Sequence, residues 1–140
     1  MRWTEEQLQA YLNDELPGKY KPVHKFGRAR RIEIDGYKFA SQKEADRYVA
    51  LKWRERAGEI TDLEPHPGWP IVVNKEPICR VELDFRYWDK VDGGKWVYED
   101  VKSVRIDDHG RVKFSTDTSL SKIKRKLLKA IFGIEVTIVE

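Results

Sequence analysis

Apolar and polar positions fall into alternating stretches whose spacing predicts the elements one by one. Thr4 followed by Glu5, Glu6 and Gln7 reads as an N-cap with a capping box, and Leu8, Tyr11 and Leu12 form one stripe, so a short helix is predicted from about 5 to 13. Residues 14 to 31 show no periodicity and hold Pro17, Gly18, Pro22 and Gly27, which predicts a loop or arm. Ile32 to Ile34 and Tyr37 to Phe39 flank the pair Asp35-Gly36, a strong short-hairpin signal. Ser41 stands three residues before Glu44 and opens a helix from Gln42 to about Ala57, with a stripe of Ala45, Tyr48, Val49 and Leu51 and with Gly58 at its end.

The second half alternates with period two. Trp69 to Val73 is expected to be the first strand of a core sheet. From Ile78 to Tyr87 the residues Val81, Leu83, Phe85 and Tyr87 share one predicted face, and Glu82, Asp84 and Arg86 the other. The turn Asp92-Gly93-Gly94 leads to a strand from Lys95 to about Val104, and the two strands should pair as an antiparallel hairpin. Residues 105 to 118 read as a polar excursion, with Gly110 between the β-like runs Val104 to Ile106 and Val112 to Phe114. Ser119 or Ser121 is expected to cap a last helix with Leu120, Ile123, Leu127, Ala130 and Ile131 in its stripe; Gly133 stops it, and Ile134 to Val139 is a final strand. The predicted core order is helix, three strands, helix, strand.

Composition narrows the classes. A chain of 140 residues, 40% hydrophobic and 36% charged, fits one domain, with residues 1–31 as an N-terminal helix and basic arm and 32–140 as the core. The formal charge of +3 names no partner, but basic residues gather at Arg28, Arg30 and Arg31 and again from Lys122 to Lys129. The arm with Arg28, Arg30 and Arg31 is a candidate to grip a nucleic-acid backbone; Lys122, Lys124, Arg125, Lys126 and Lys129 read most plainly as the solvated face of a helix, and of these Lys122, Lys126 and Lys129 share one face and are candidates for phosphate contact. A lone Cys79 excludes an internal disulfide, and three scattered histidines give no zinc set. The N-terminus is polar and no apolar run reaches membrane-spanning length, so a cytoplasmic, soluble protein is expected.

The candidate chemistry lies in the predicted hairpin. Asp84 and Asp100 stand on neighbouring strands, where antiparallel pairing can bring them together. Lys102 follows Asp100 by two residues and therefore shares its face, whereas Glu99 points the other way. Two carboxylates suit a hard divalent cation completed by water and phosphate oxygens, and a neighbouring ammonium can position water or stabilise a pentacovalent phosphate. Asp100-Val101-Lys102 is the one carboxylate-any-Lys triplet in the chain. The plain alternatives are a surface ion pair for Asp100 and Lys102, and for Glu44 a capping-box residue with no chemistry.

With Glu44 on a helix, Asp84 on a middle strand and Asp100-Val101-Lys102 on the next, residues 39 to 140 resemble the PD-(D/E)XK nuclease superfamily. The stretches IDGYKFASQKEADRY, LKWRERAGEITDLE, DFRY, VYEDVKS and KRKLLKAIFGIEV resemble a family of small phage and prophage proteins of unknown function. The resemblance implies an α/β fold with a restriction-endonuclease-like core: a central mixed sheet flanked by helices, plus the N-terminal helix and hairpin. It implies that Asp84 and Asp100 bind Mg²⁺ or Mn²⁺, that Val101 lends its carbonyl, that Lys102 assists the water, and that Glu44 matches the helix glutamate used as a further ligand by Holliday-junction resolvases and transposon-end nucleases. Leu83 stands where the motif has proline, a position without a chemical role.

The expected function is a phage-encoded DNA endonuclease acting in a bacterial host on junctions, flaps or nicked duplex, where a homodimer would permit paired cuts. A DNA-binding accessory protein that keeps the nuclease fold is the alternative. A single-strand or RNA-binding β-barrel fits the predicted helices poorly.

Overall fold

The computed structural model describes residues 4–6, 9, 31–91 and 93–140. Glu5, Glu6 and Gln9 are helical; the rest of the predicted first helix, with Arg28, Arg30 and Asp92, lies outside the described residues. The chain then runs β1 (Ile32–Ile34), β2 (Tyr37–Phe39), α1 (Gln42–Arg56), β3 (Ile60–Pro65), β4 (Gly68–Val73), β5 (Glu76–Glu82), β6 (Phe85–Asp89), β7 (Lys95–Val101), β8 (Val104–Ile106), β9 (Val112–Ser115), α2 (Ser119–Phe132) and β10 (Val136–Val139). The result is a mixed α/β fold. Its central four-stranded sheet has the order β10-β7-β6-β3, with β3, β6 and β7 antiparallel and β10 parallel to β7.

Strands β3 to β6 form one long hairpin with a bend in it. The pairing Pro65↔Phe85 in the central sheet resumes as Gly68↔Glu82 in a separate two-stranded sheet. Asn74 and Lys75, at φ 50° and 64°, close the far end in the left-handed turn whose twist matches antiparallel strands. At the bend, Pro65 and Pro67 have no N–H to give a ladder, and His66 between them has φ 55°. Leu83 N–H still donates to Pro67 O at 2.9 Å, but Asp84 N–H donates to Glu99 O of β7 at 3.1 Å. Asp84 is therefore where the strand exchanges one partner for another.

This bend corrects the prediction of a single strand from Ile78 to Tyr87. Val81 and Leu83 pack with Ile71, Leu128 and Ile134 in one core cluster, whereas Phe85 and Tyr87 join Phe39, Ala45, Tyr48 and Leu51 in another. All four residues are buried as the alternation requires, but in two different cores. Trp69 to Val73 is likewise not the first strand of the core sheet; that place belongs to β3. Its signal was hidden because Asp62, at φ 55°, sits at a register shift between Thr61 and Glu64 and breaks the period of two.

Helix α1 starts as expected, with the Ser41 side chain accepting from Glu44 N–H at 3.2 Å, and ends before Gly58 at φ 76°. It buries Ala45, Tyr48 and Leu51, while Val49 is exposed. The N-cap of α2 is Thr118, not Ser119 or Ser121: its side chain accepts from Ser121 N–H, and Gly133 closes the helix at φ 67°. Only part of α2 follows its apolar pattern. Leu128 is fully buried, contributing about 2 kcal/mol by removal from water, but Leu120, Ile123 and Ile131 are 60%, 55% and 44% exposed. The helix turns Arg125 and Leu128 toward the sheet and leaves most of its apolar stripe outward. The strand from Lys95 stops at Val101; Val104 to Ile106 pairs with β9 in a small hairpin turned at Gly110, so the predicted excursion carries a ladder.

Candidate functional site

The β6–β7 register pairs Phe85 with Glu99, and one further step sets Asp84 opposite Asp100. The Asp84 carboxylate accepts from Val101 N–H at 2.5 Å, which ties it to the triplet that carries Asp100 and Lys102. Lys102 Nζ lies 2.9 Å from Asp100 Oδ2, and both side chains are nearly buried, at 12% and 13% exposure. Asp84, Asp100 and Lys102 therefore meet at one end of the central sheet. Two backbone bonds hold Lys102 there: its N–H donates to Val139 O of β10 at 2.8 Å, and its carbonyl accepts from Lys43 Nζ at 2.8 Å.

Crowding of acids shapes the electrostatics. Burial, with Glu44 and Asp100 close by, pushes the Asp84 carboxyl up to about 8 against the opposing pull of Val101 N–H. The physical content is that two adjacent carboxyls on this corner share either a proton or a cation. Glu44 contributes charge to that field, yet its oxygens are occupied as a cap: Oε2 accepts from Ala40 N–H at 3.2 Å and Oε1 from Ser41 Oγ at 3.3 Å. Among the described residues, no three acidic, histidine or cysteine side chains stand together as a metal cage. Asp84 and Asp100 offer hard oxygen donors side by side, and Glu44 lines the same pocket as Asp84, a set that fits a cation such as Mg²⁺, which keeps most of its own waters.

Glu99 faces away as predicted. It is 2% exposed and accepts from Arg47 Nε at 2.9 Å, Arg47 Nη2 at 2.5 Å and Tyr87 OH at 2.6 Å. Its hydrogen bonds raise the Arg47 guanidinium, and burial followed by the Glu99 bond pushes Tyr87 up to about 12. The network staples α1 to the sheet on the face opposite Asp100.

Two residues near the site escape sequence reasoning. Arg125, expected on the solvated face of the last helix, is 18% exposed; its Nη1 lies 3.7 Å from Asp100 Oδ2 and 2.7 Å from Asp117 Oδ1. Its counter-ion Asp117 is held well below the usual carboxylate range by that hydrogen bond. His66, one of the scattered histidines, lines a pocket of about 270 Å³ with Arg31, Lys38, Glu44 and Asp84. Its strained backbone at the bend was the signal, but φ is not visible in a sequence. Lys122, Lys126 and Lys129 are exposed and, with Arg125, line a second groove of about 460 Å³ between α2 and β10.

Among the described residues no helix is long and apolar enough to cross a membrane. No curated protein and no solved structure matches the chain. The family described as Protein of unknown function (DUF1064) matches residues 23–135, most of the chain's length, and the chain therefore belongs to that family.

Proposed function

We propose that this protein is a metal-dependent endonuclease that hydrolyses DNA phosphodiester bonds, selective for structure such as a junction, flap or nick, on a restriction-endonuclease-like core. The observation that carries the reading is the meeting of Asp84, Asp100 and Lys102, two oxygen donors and an ammonium, at one end of a mixed sheet. The order of α1, then β3, β6 and β7, then α2 and β10 supports it, because it is the order of that superfamily's core once the outer arm of the bent hairpin and the small β8–β9 hairpin are set aside.

Asp84 and Asp100 would hold Mg²⁺ or Mn²⁺, with the Val101 carbonyl as a third oxygen on the same strand. When bound, such a cation offsets charge on the phosphate and lowers the pKa of its water. Asp84 would hold it as the carboxylate, so uptake would release the proton that crowding favours there. Lys102, already fixed beside Asp100, is placed to orient the attacking water and to stabilise the charge that develops on phosphorus-bound oxygen. Glu44 holds the start of α1 and adds negative field. Lys122, Lys126 and Lys129 supply a phosphate-binding face that carries no sequence readout.

A second reading, a DNA-binding accessory protein without catalysis, draws on one observation: Lys102 at 2.9 Å, with Arg125 farther out at 3.7 Å, offsets the charge of Asp100. One experiment separates the two. Labelled junction, flap, nicked, duplex and single-stranded DNA are incubated with the purified chain and Mg²⁺, Mn²⁺ or EDTA. Cleavage that needs the cation and disappears in Asp100→Ala and Lys102→Ala, both still folded, supports the enzyme; binding without cleavage in every condition supports the accessory protein.

A further inference from the structure

We infer that Asp117 is a positioning residue of this site, holding Arg125 off Asp100 so that Asp100 keeps an oxygen for a divalent cation. The inference rests on the proposed metal-dependent reading.

Two carboxylates compete for one guanidinium. Asp117 takes it with both oxygens, Oδ1 to Nη1 at 2.7 Å and Oδ2 to Nη2 at 3.0 Å, the parallel two-bond geometry in which arginine binds a carboxylate most strongly. Asp100 Oδ2 stands 3.7 Å from the same Nη1, beyond hydrogen-bond reach. Lys102 Nζ approaches that same oxygen at 2.9 Å, so the arginine kept at 3.7 Å leaves Asp100 with one close cation rather than two, and with room to turn an oxygen to a metal ion beside Asp84.

The position of Asp117 is set by the chain on either side of it. Its N–H donates to Ser115 Oγ at 3.0 Å, and Thr116 before it is tied to Ser103 through bonds of 2.8 and 3.0 Å. Thr118 after it caps α2. Arg125 lies two turns into that helix, and a long helical side chain points back toward the N-terminus, which brings it to Asp117. Both side chains are mostly buried, at 18% and 22% exposure, so neither can trade its partner for water at little cost. Without Asp117 the fork has a second carboxylate, Asp100, only 3.7 Å from Nη1, and a fork closed on Asp100 would occupy both of its oxygens.

The test is Mn²⁺ binding to the full chain by calorimetry, with thermal melts in EDTA to monitor folding. Asp117→Asn frees the arginine and should weaken Mn²⁺ binding about tenfold, the size of one hydrogen bond to a charged group. Adding Arg125→Gln removes the freed competitor and should restore affinity to within about twofold of the wild type. Asp117→Glu, which keeps the tether, should bind nearly as the wild type does. Restoration in the double variant is the signature, since a merely structural loss at Asp117 would not be repaired by a second change. An Asp117→Asn variant with unaltered affinity, or a double variant as weak as Asp117→Asn alone, overturns the inference while the wild type's own Mn²⁺ binding leaves the proposed function standing. A wild type that binds no Mn²⁺ overturns both. Should Asp117→Asn melt too early to measure, Arg125→Gln alone decides: binding at least as tight as the wild type supports the tether, and weaker binding refutes it.

Discussion

Replacing Asp84 by asparagine should stabilise the metal-free protein while removing its response to divalent cations. The substituted side chain keeps an oxygen for Val101 N–H and gains an amide that can face Asp100, so the corner retains its hydrogen bond and loses its charge problem. The folded-state value of Asp84 is raised above its ordinary 3.8 to about 8. The sign follows: below the unfolded value the group is protonated in both states and contributes no difference, whereas above it the unfolded chain releases a proton that the folded chain retains, so wild-type stability falls as pH rises from about 4 toward 8. Asp84→Asn removes that fall. Water reaches part of the carboxyl and screens its charge, so about 1–2 kcal/mol is expected at pH 8. For a chain of this size that is about 3–6 °C in melting temperature. Differential scanning calorimetry of both proteins in EDTA at pH 4, 6 and 8 should give a difference near zero at pH 4 that grows with pH. Added Mn²⁺ should then raise the wild type at pH 8 and leave the variant unmoved. A gap that is constant across pH, or a variant less stable than the wild type at pH 8, would refute the account of Asp84 as a carboxyl crowded by its neighbours.

Glu99→Gln should cost about 3 kcal/mol, since it leaves the Arg47 guanidinium against a neutral partner in a buried network; urea unfolding measures it, and a loss below about 1 kcal/mol means that the network is not tightly coupled. Leu128→Ala should cost about 2–5 kcal/mol, whereas Leu120→Ala on the same helix should cost well under 1 kcal/mol because that side chain is exposed. Equal losses would place the outward stripe in a covered interface. Glu44→Ala should cost about 1 kcal/mol through the lost bonds to Ala40 and Ser41, read from a thermal melt, with Mn²⁺ affinity largely kept; loss of all binding would make Glu44 a ligand. Removing charge at Lys122 and Lys126 should lower affinity for every DNA sequence and flatten the logarithmic salt dependence by about 2, and an unchanged slope moves the binding face elsewhere.

What could be read from the chain divides along physical lines. Local rules worked where one residue decides the geometry: Asp35-Gly36 makes its left-handed turn, Ser41 caps its helix and Gly133 ends the other. The register between β6 and β7, and with it the approach of Asp84 to Asp100, was legible because period-two alternation and a glycine turn specify it. Three features were not. The bulge at Asp62 erased the alternation of β3, the bend at Leu83-Asp84 left alternation intact while exchanging the core it faces, and the outward stripe of α2 depends on which helix face meets the sheet. The partnership of Arg125 with Asp117 and Asp100 depends on that last choice, so a residue read as surface lies inside the site.

The bend in the long hairpin separates two tasks along a single pair of strands. On the inner side of Asp84 the backbone is clamped between β3 and β7, so the carboxylate is anchored by the sheet rather than by the arm beyond it. The outer arm, closed at Asn74 and Lys75, lies past that anchor. Lengthening or shortening it in matched pairs of residues changes what covers α2 without displacing the acid, so relatives can diverge in that arm while preserving the same corner.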